Sequence, residues 1–376
     1  MGRWKNRTAA AALTAALAAS ALVAAPPTVA EAAAPTYRFT TVVSGLSIPW
    51  DLTWVGSVML FDQRAGGIWS KRGSAAPRRV SMPIPTPQLG SEGGLLGMVA
   101  DPRAATNRLF YTCQTVSRSN DVRVFRWRLS PDATRASAVG APRASGIPLT
   151  SGRHTGCRLR FSPGGMLYIG TGDAAVATNP QRLSSLGGKI LRVHPDGRIP
   201  RTNPFYSRGG NARYVWNYGH RNLQGIAVQP STGRMYSAEH GTDRDDEINL
   251  IRKGANYGWE PGPGYNENRP MTDLTKFPNA VRAVWRSGAP TVATSGITFL
   301  TGARWKDWNG AMAVGQLAGH GNRLILIDRN GRATSTMMRG TSSYERIRTV
   351  QLGPDGALYF TTSNGSDDRI VRVTTT

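Results

Sequence analysis

The chain has 376 residues, with 46 Lys and Arg against 23 Asp and Glu, for a formal net charge of +23. That length holds one large domain or two ordinary ones. The 43 Gly, 24 Pro and 10 Trp suit many short strands joined by turns rather than long helices. Two Cys exclude a disulfide-dense scaffold and a four-Cys zinc or iron–sulfur site.

The first segment reads as an address. Arg3, Lys5 and Arg7 form a basic n-region, Thr8 to Ala25 is an Ala/Leu/Val run, and small residues follow up to Ala34. This is the pattern of a secretory signal, with cleavage expected after Ala30 or Ala34. Residues 1–34 are therefore expected to be removed, and 35–376 to form one exported domain. Beyond the signal no run approaches the ~18 apolar residues of a membrane span, so no span is expected. In an exported protein Cys113 and Cys157, each within a strand-like run, are expected to pair. The cations are scattered from Arg38 to Arg372 without a dense basic run, which reads as a solvated surface and argues against a nucleic-acid partner.

Past the signal, a turn containing Gly followed by a short apolar-aromatic strand recurs. Gly165-Met-Leu-Tyr-Ile-Gly170, Gly233-Arg-Met-Tyr-Ser-Ala238 and Gly356-Ala-Leu-Tyr-Phe-Thr361 are the closest copies. Looser ones are Val58–Phe61, Arg108–Tyr111 and Arg323–Ile327. Recurrence at intervals of several tens of residues, with no linker, predicts an all-β chain closed into one β-propeller. Divided by six, the mature chain gives units near the ~50 residues of a four-stranded repeat.

Polar loops between these strands carry the candidate chemistry. Thr150-Ser-Gly-Arg-His-Thr-Gly156 leads into a strand, and the same repeat ends in Gly170-Thr-Gly-Asp173. An Asp that accepts the ring proton of a His fixes its tautomer and raises its basicity, as a general base requires. Alone, the His154–Asp173 pair is weak evidence, and a satisfied structural histidine is the favoured reading. The densest polar stretch runs from Gly219-His-Arg-Asn222 through Glu239-His-Gly-Thr-Asp-Arg-Asp-Asp-Glu247. Its four acids between Asp243 and Glu247 repel unless solvated, hydrogen-bonded or bound to a hard cation such as Ca²⁺. Arg346 and Arg348 alternate along a strand and share a face, where guanidinium forks suit carboxylates.

Together these segments resemble the soluble PQQ-dependent sugar dehydrogenases, the glucose/sorbosone and aldose sugar dehydrogenase family. The resemblance runs in order through Gly45-Leu-Ser-Ile-Pro-Trp50, Gly93-Gly-Leu-Leu-Gly97, His154-Thr-Gly-Cys-Arg-Leu159 and Leu186-Gly-Gly-Lys-Ile-Leu-Arg192. It continues in Gly219-His-Arg-Asn222, Glu239-His-Gly241, Asp246-Glu-Ile-Asn249, Asn256-Tyr-Gly-Trp259, Arg346-Ile-Arg348 and Pro354-Asp-Gly356. It implies a six-bladed propeller that oxidises an aldose at its anomeric carbon to the lactone. Hydride would pass to Ca²⁺-bound PQQ and then to an external electron acceptor.

By resemblance His154 is the general base, Asp173 its supporting carboxylate, and Arg221 the cation over the quinone carbonyls. Glu92, Asn222, His240, Arg346 and Arg348 fall at cofactor-binding positions. The carbonyls of Gly241 and Thr242 match those that hold the cofactor's Ca²⁺, and Glu247 and Tyr257 match positions near further structural Ca²⁺. Four positions depart from the glucose enzyme: Glu92 and His240 each stand where Gln is usual, Ala318 replaces a cofactor-binding Lys, and Arg153 replaces an acid that touches sugar. Two other functions compatible with the residues are a catalytically silent propeller that binds glycans or a protein, and a Ca²⁺-dependent lactonase.

Overall fold

The computed structural model describes residues 36–328 and 330–375; the expected signal segment lies outside them. Six antiparallel sheets of four principal strands follow one another along the chain and form a six-bladed β-propeller. Blade 1 comprises Leu52–Val55, Val58–Asp62, Ile68–Arg72 and Arg78–Arg79. Blade 2 comprises Leu95–Ala100, Leu109–Val116, Asp121–Leu129 and Ala144–Pro148, with Ala136–Ala138 added alongside. Blade 3 comprises Gly156–Phe161, Leu167–Thr171, Lys189–Val193 and Val215–Tyr218. Blade 4 comprises Leu223–Val228, Met235–Glu239, Glu247–Leu250 and Trp285–Arg286. Blade 5 comprises Thr294–Phe299, Met312–Gln316, Asn322–Ile327 and Ala333–Met337. Blade 6 takes Ile347–Leu352, Leu358–Thr362 and Asp368–Thr375 from the C-terminal end and Tyr37–Leu46 from the N-terminal end. That last pairing, from Tyr37 opposite Thr375 to Leu46 opposite Asp368, closes the ring and leaves no gap between first and last blades.

Each blade's first strand packs against the first strand of the next, and six apolar clusters fill the six interfaces between neighbouring blades. Strands buried on both faces read as continuous apolar runs rather than alternating ones. Leu109–Val116 and Met235–Glu239 are buried at every residue, whereas the outermost Ala333–Met337 is mostly exposed. This is why the recurrent apolar-aromatic motif was legible: five of its six copies are second strands. The sixth, Arg323–Ile327, lies in the third strand of blade 5, because the second, Met312-Ala-Val-Gly-Gln316, carries small residues in place of aromatics. Close packing of inner strands explains Gly225, where a methyl group would lie 2.5 Å from the Ser295 carbonyl oxygen of the next blade.

Cys113 and Cys157 are joined, linking the second strand of blade 2 to the first strand of blade 3. Their separation of 44 residues corresponds to roughly 4 kcal/mol of loop-closure entropy withheld from the unfolded chain. Replacing both with Ser should lower the unfolding free energy by about 2–4 kcal/mol, read from the urea midpoint. An unchanged midpoint would show that the blade 2–3 interface holds by packing alone.

Candidate functional site

In an up-and-down blade the start of the first strand and the end of the second lie at the same end of the propeller. Glu92, His154, Arg221 and Asn222 stand just before first strands, and Arg348 at the start of one. Asp173 and His240 stand just after second strands. Residues far apart in sequence are thereby delivered to one mouth.

His154 is 3% exposed, Asp173 is fully buried, and Nδ1 of the ring lies 2.9 Å from Oδ1 of the carboxylate. The hydroxyl of Tyr265 is 2.8 Å from the same Nδ1 and donates to Asp173 Oδ2 at 2.6 Å. Trp259 Nε1 and the Ala175 amide also donate to this carboxylate, both at 2.9 Å. The tautomer follows from the donor count. Tyr265 has one proton and gives it to Asp173, and burial followed by the Asp173 charge pushes that phenol's pKa up, so it stays protonated. Both groups facing Nδ1 can then only accept. Nδ1 carries the hydrogen, and Nε2 keeps the lone pair that would meet a substrate proton.

The backbone here is held in an unusual state. His154 has φ of 54° and Tyr265 of 60°, in the left-handed region that costs a non-Gly residue ~1–2 kcal/mol. Gly172 permits the approach: a methyl group there would sit 1.8 Å from the His154 carbonyl oxygen. The Gly170-Thr-Gly-Asp173 motif therefore needs its second glycine for space and its Asp for chemistry.

Beside the base, Arg221 donates from Nε and Nη2 to Glu267 Oε1 at 2.9 and 2.6 Å and from Nη1 to the His240 carbonyl at 3.2 Å. Glu267 also pairs with Arg153. Burial alone would raise the Glu267 carboxyl, but Arg221 and then Arg153 hold it below its ordinary value. Asn222 donates to both Glu92 oxygens at 3.1 and 3.0 Å and accepts from Gln224 at 3.0 Å. Gln224 accepts in turn from Arg348 at 3.1 Å. Arg348 and Arg158 lie 5.1 and 4.3 Å from the Trp50 ring centre, within cation–π range. Burial pushes the Arg348 guanidinium down to about 9 against the support of Glu92, and Arg158, Arg346 and Arg64 add to the lowering. His240 is held well below its ordinary value by burial, then by Arg348, Arg221 and His154, so it is neutral. Its Nε2 and Arg348 Nε are buried without hydrogen-bond partners.

The structure thus brings His154, Asp173, Arg221, Asn222, Glu92, His240 and Arg348 into one connected cluster. Arg346 lies just before its strand rather than within it, near enough to act on Arg348, and donates to the Leu317 and Ser363 carbonyls at 2.8 and 3.0 Å. Gly241 and Thr242 follow His240 directly. Among the described residues no three His, Cys, Asp or Glu side chains form a metal cluster, so a cation at Gly241 and Thr242 would draw on backbone carbonyls.

The four acids near it are each otherwise stabilised. Asp243 pairs with Arg244, Asp245 lies 3.7 Å from Arg286, and Asp246 accepts from the amides of Gly241 and Val292. Glu247 is buried, accepts from Thr272 and Asn249, and stands opposite Glu239 in the strand register. Glu239 pairs with His220 and also accepts from the Arg221 amide, so this second cluster lies directly behind the first. Tyr257 stacks on His220 and commits its hydroxyl to the Leu250 carbonyl and the Arg252 amide.

Burial and then Glu239 push the Glu247 carboxyl from 4.5 to about 8. Between those pH values the folded protein holds a proton that the unfolded chain has released. The associated stability is complete below about pH 4.5 and is lost as pH rises through 8. Glu247→Gln should therefore flatten the stability profile and be the more stable protein above pH 8, read by urea melts at pH 5 and 9. If Glu247 also holds a cation, millimolar Ca²⁺ should raise the wild-type midpoint at pH 9 and leave the variant's unmoved.

Tyr265, Glu267 and Arg64 did not stand out in the sequence, and His220 and Glu239, though within the dense polar stretch, were not read as a pair. Tyr265 and Glu267 lie in a Gly/Pro/Asn-rich connection that reads as a bare turn. A Tyr and a Glu among turn formers was the available signal.

Residues 46–372 match the model of a family described as Glucose / Sorbosone dehydrogenase. The chain belongs to the glucose/sorbosone dehydrogenase family. It is 30% identical to aldose sugar dehydrogenase YliI of Escherichia coli K12, over 90% of this chain and 93% of that one. It is 27% identical to quinoprotein glucose dehydrogenase B of Acinetobacter calcoaceticus, over 65% of this chain and 56% of the other. The structure of the PQQ-bound form of an aldose sugar dehydrogenase from Streptomyces coelicolor superposes with a TM-score of 0.75 at 29% identity, over 91% of this chain and 99% of that one. These sugar dehydrogenase relatives support an oxidoreductase. No helix among the described residues is long and apolar enough to cross a membrane.

Proposed function

We propose that this member of the glucose/sorbosone dehydrogenase family is an exported PQQ- and Ca²⁺-dependent enzyme that oxidises an aldose at its anomeric carbon to the lactone. The single observation that carries this reading is the buried contact of His154 Nδ1 with Asp173 and Tyr265, which leaves Nε2 as the nitrogen with the lone pair. The residues fit the cofactor: Arg348 and Arg346 supply positive charge for a tricarboxylate, and His240 Nε2 and Arg348 Nε are buried polar atoms in want of partners. Arg221 and Asn222 would flank the group, and the carbonyls of Gly241 and Thr242 would hold Ca²⁺.

When bound, PQQ supplies the two-electron acceptor that no side chain provides, with Ca²⁺ as Lewis acid. His154 Nε2 takes the proton of the anomeric hydroxyl as the C1–H bond gives up its hydride. The Asp173 carboxylate, already hydrogen-bonded to Nδ1–H, stabilises the imidazolium that results. Arg221 would supply positive charge beside the electron acceptor. Tyr265 and Trp259 keep Asp173 in place and exclude water from it. Export is supported by the N-terminal pattern and by the Cys113–Cys157 bond, which persists in oxidising compartments.

The test is an absorbance titration of the purified protein with PQQ and Ca²⁺, then sugar-dependent reduction of an artificial electron-accepting dye. Saturable micromolar binding and turnover with at least one aldose are expected; no PQQ binding at micromolar concentration would overturn the reading. Lactone hydrolysis without PQQ, abolished by EDTA, would instead favour the lactonase.

A further inference from the structure

Lys189 opens the third strand of blade 3 and is completely buried. All three ammonium hydrogens are used: Nζ donates to the carbonyls of Asn179 at 2.6 Å, Gly187 at 2.7 Å and Pro180 at 3.1 Å. Those carbonyls belong to the long connection between Thr171 and Lys189 itself, which has no regular secondary structure and carries Asp173 at its start. A buried ammonium bound only to neutral carbonyls is an expensive arrangement. A methionine in its place would leave those carbonyls without this donor, so the ammonium has a structural role, and the question is whether it also has a functional one.

The contacts beyond the carbonyls suggest one. The Asn179 side chain donates from Nδ2 to the Asp173 carbonyl at 2.8 Å, so one residue separates the ammonium from the backbone of Asp173. Pro180 O, bound by the ammonium, also accepts from the Gly219 amide at 3.0 Å. Asp173 N donates to the Arg221 carbonyl at 2.8 Å, and His220 N to the Gly188 carbonyl at 3.2 Å. One cation therefore ties together the two segments that deliver Asp173 and Arg221. Asp173 is the charge whose field reaches Lys189; of the other titratable groups, Tyr218 is opposite Lys189 in the strand register, His220 bonds through its amide to Gly188, Tyr168 lies on the adjoining second strand, and Arg182 is exposed on the connection.

We propose that Lys189 is a positioning residue for the His154–Asp173 base, its ammonium clamping the Asp173 connection and supporting the carboxylate's charge. The inference rests on the reading of His154 as the base. Burial brings the Lys189 pKa down to about 7 against the opposing pull of Asp173. A rise in pH through neutrality therefore strips one donor from the clamp, leaves one carbonyl unbound and removes a positive charge whose field reaches Asp173. The expected signature is a loss of base function toward alkaline pH that disappears when the residue cannot titrate.

The experiment uses the full exported chain with ¹⁵N-labelled histidine, with and without PQQ and Ca²⁺, in wild type, Lys189→Met and Lys189→Gln. In the wild-type apoprotein the His154 Nδ1–H resonance should be present and should weaken as pH is raised through 7–8. In Lys189→Met it should be lost or averaged at every pH, and in the holoenzyme kcat should fall about 10–100-fold while KM and PQQ affinity move less than about threefold. Lys189→Gln, which keeps donors but not charge, should recover part of kcat without the alkaline limb. A resonance unaltered in folded Lys189→Met, or a kcat within twofold of wild type with the same pH profile, would overturn the proposal. If Lys189→Met fails to fold, the wild-type resonance decides: no response to pH between 6 and 9 overturns it. The resonance is read without turnover, so a protein that oxidises no sugar but whose Nδ1–H follows Lys189 would sink the dehydrogenase reading and leave the clamp standing.

Discussion

His154→Ala should lower kcat for sugar oxidation by about 10²–10⁴-fold while leaving the PQQ titration within about twofold of wild type. On the proposed reading the imidazole takes the proton, whereas Arg348, Arg346 and Asn222 hold the cofactor. Asp173→Asn should fall in the same range by a different route. Asp173 accepts four hydrogen bonds, from His154 Nδ1, Tyr265 Oη, Trp259 Nε1 and the Ala175 amide. An amide can accept on one side only, so its NH₂ must oppose either His154 and Ala175 or Tyr265 and Trp259. The tautomer is lost in the first case, and buried donors are stranded at ~1–3 kcal/mol each in the second. Tyr265→Phe separates the contributions, because it removes one donor to Asp173 but leaves the carboxylate to hold Nδ1–H. A loss of roughly tenfold is expected there. A Tyr265→Phe loss equal to that of Asp173→Asn would move the control of the tautomer from the carboxylate to the phenol. PQQ binding abolished by His154→Ala would mean that the ring holds the cofactor rather than the proton.

How far the sequence carried depends on the kind of signal. The propeller was legible because second strands packed on both faces begin with apolar and aromatic residues, as in Leu167-Tyr-Ile169 and Leu358-Tyr-Phe360, and that constraint repeats in most blades. Blade 5 broke the pattern only because its second strand uses small residues. The His154–Asp173 pairing was legible because one blade carries both ends: the inner strand begins after His154, and its neighbour ends before Asp173. The disulfide was legible because two Cys allow a single pairing and the N-terminal pattern led us to expect an oxidising compartment. What stayed hidden came from connections, whose conformation no periodicity encodes. Tyr265 and Glu267 reach the site from a Gly262–Asn266 turn closed by reciprocal amide–carbonyl bonds of 2.8 and 3.1 Å. Nothing in local composition says that such a turn folds inward. Lys189 was visible as part of a motif, but its role depends on three carbonyls brought to it by a loop. The four acids from Asp243 to Glu247 were rightly read as needing stabilisation. Which of them took solvent, an arginine or backbone amides was decided by neighbouring strands.

The electrostatics of the mouth make the second large prediction, because two neighbouring charges should act on cofactor affinity with opposite signs. Arg348→Gln removes a half-buried guanidinium whose Nε is already without a partner. It should raise the Kd for PQQ by roughly 10²–10³-fold, since losing one member of a desolvated charge pair costs ~2–5 kcal/mol. Glu92→Gln keeps an acceptor for Asn222 but removes a negative charge that faces the same ligand. It should tighten PQQ by about tenfold, or ~1.4 kcal/mol, most clearly at low ionic strength where screening is weak. Glu92 also supports the Arg348 guanidinium, so the two changes should not add. In the double variant, removal of Glu92 should recover less than it gains in the presence of Arg348, and the cycle reads that coupling directly. Opposite signs at fixed salt are what a tricarboxylate requires at this position. A neutral glycan bound there would leave the Glu92→Gln affinity unchanged, and that outcome would favour the binding-only propeller.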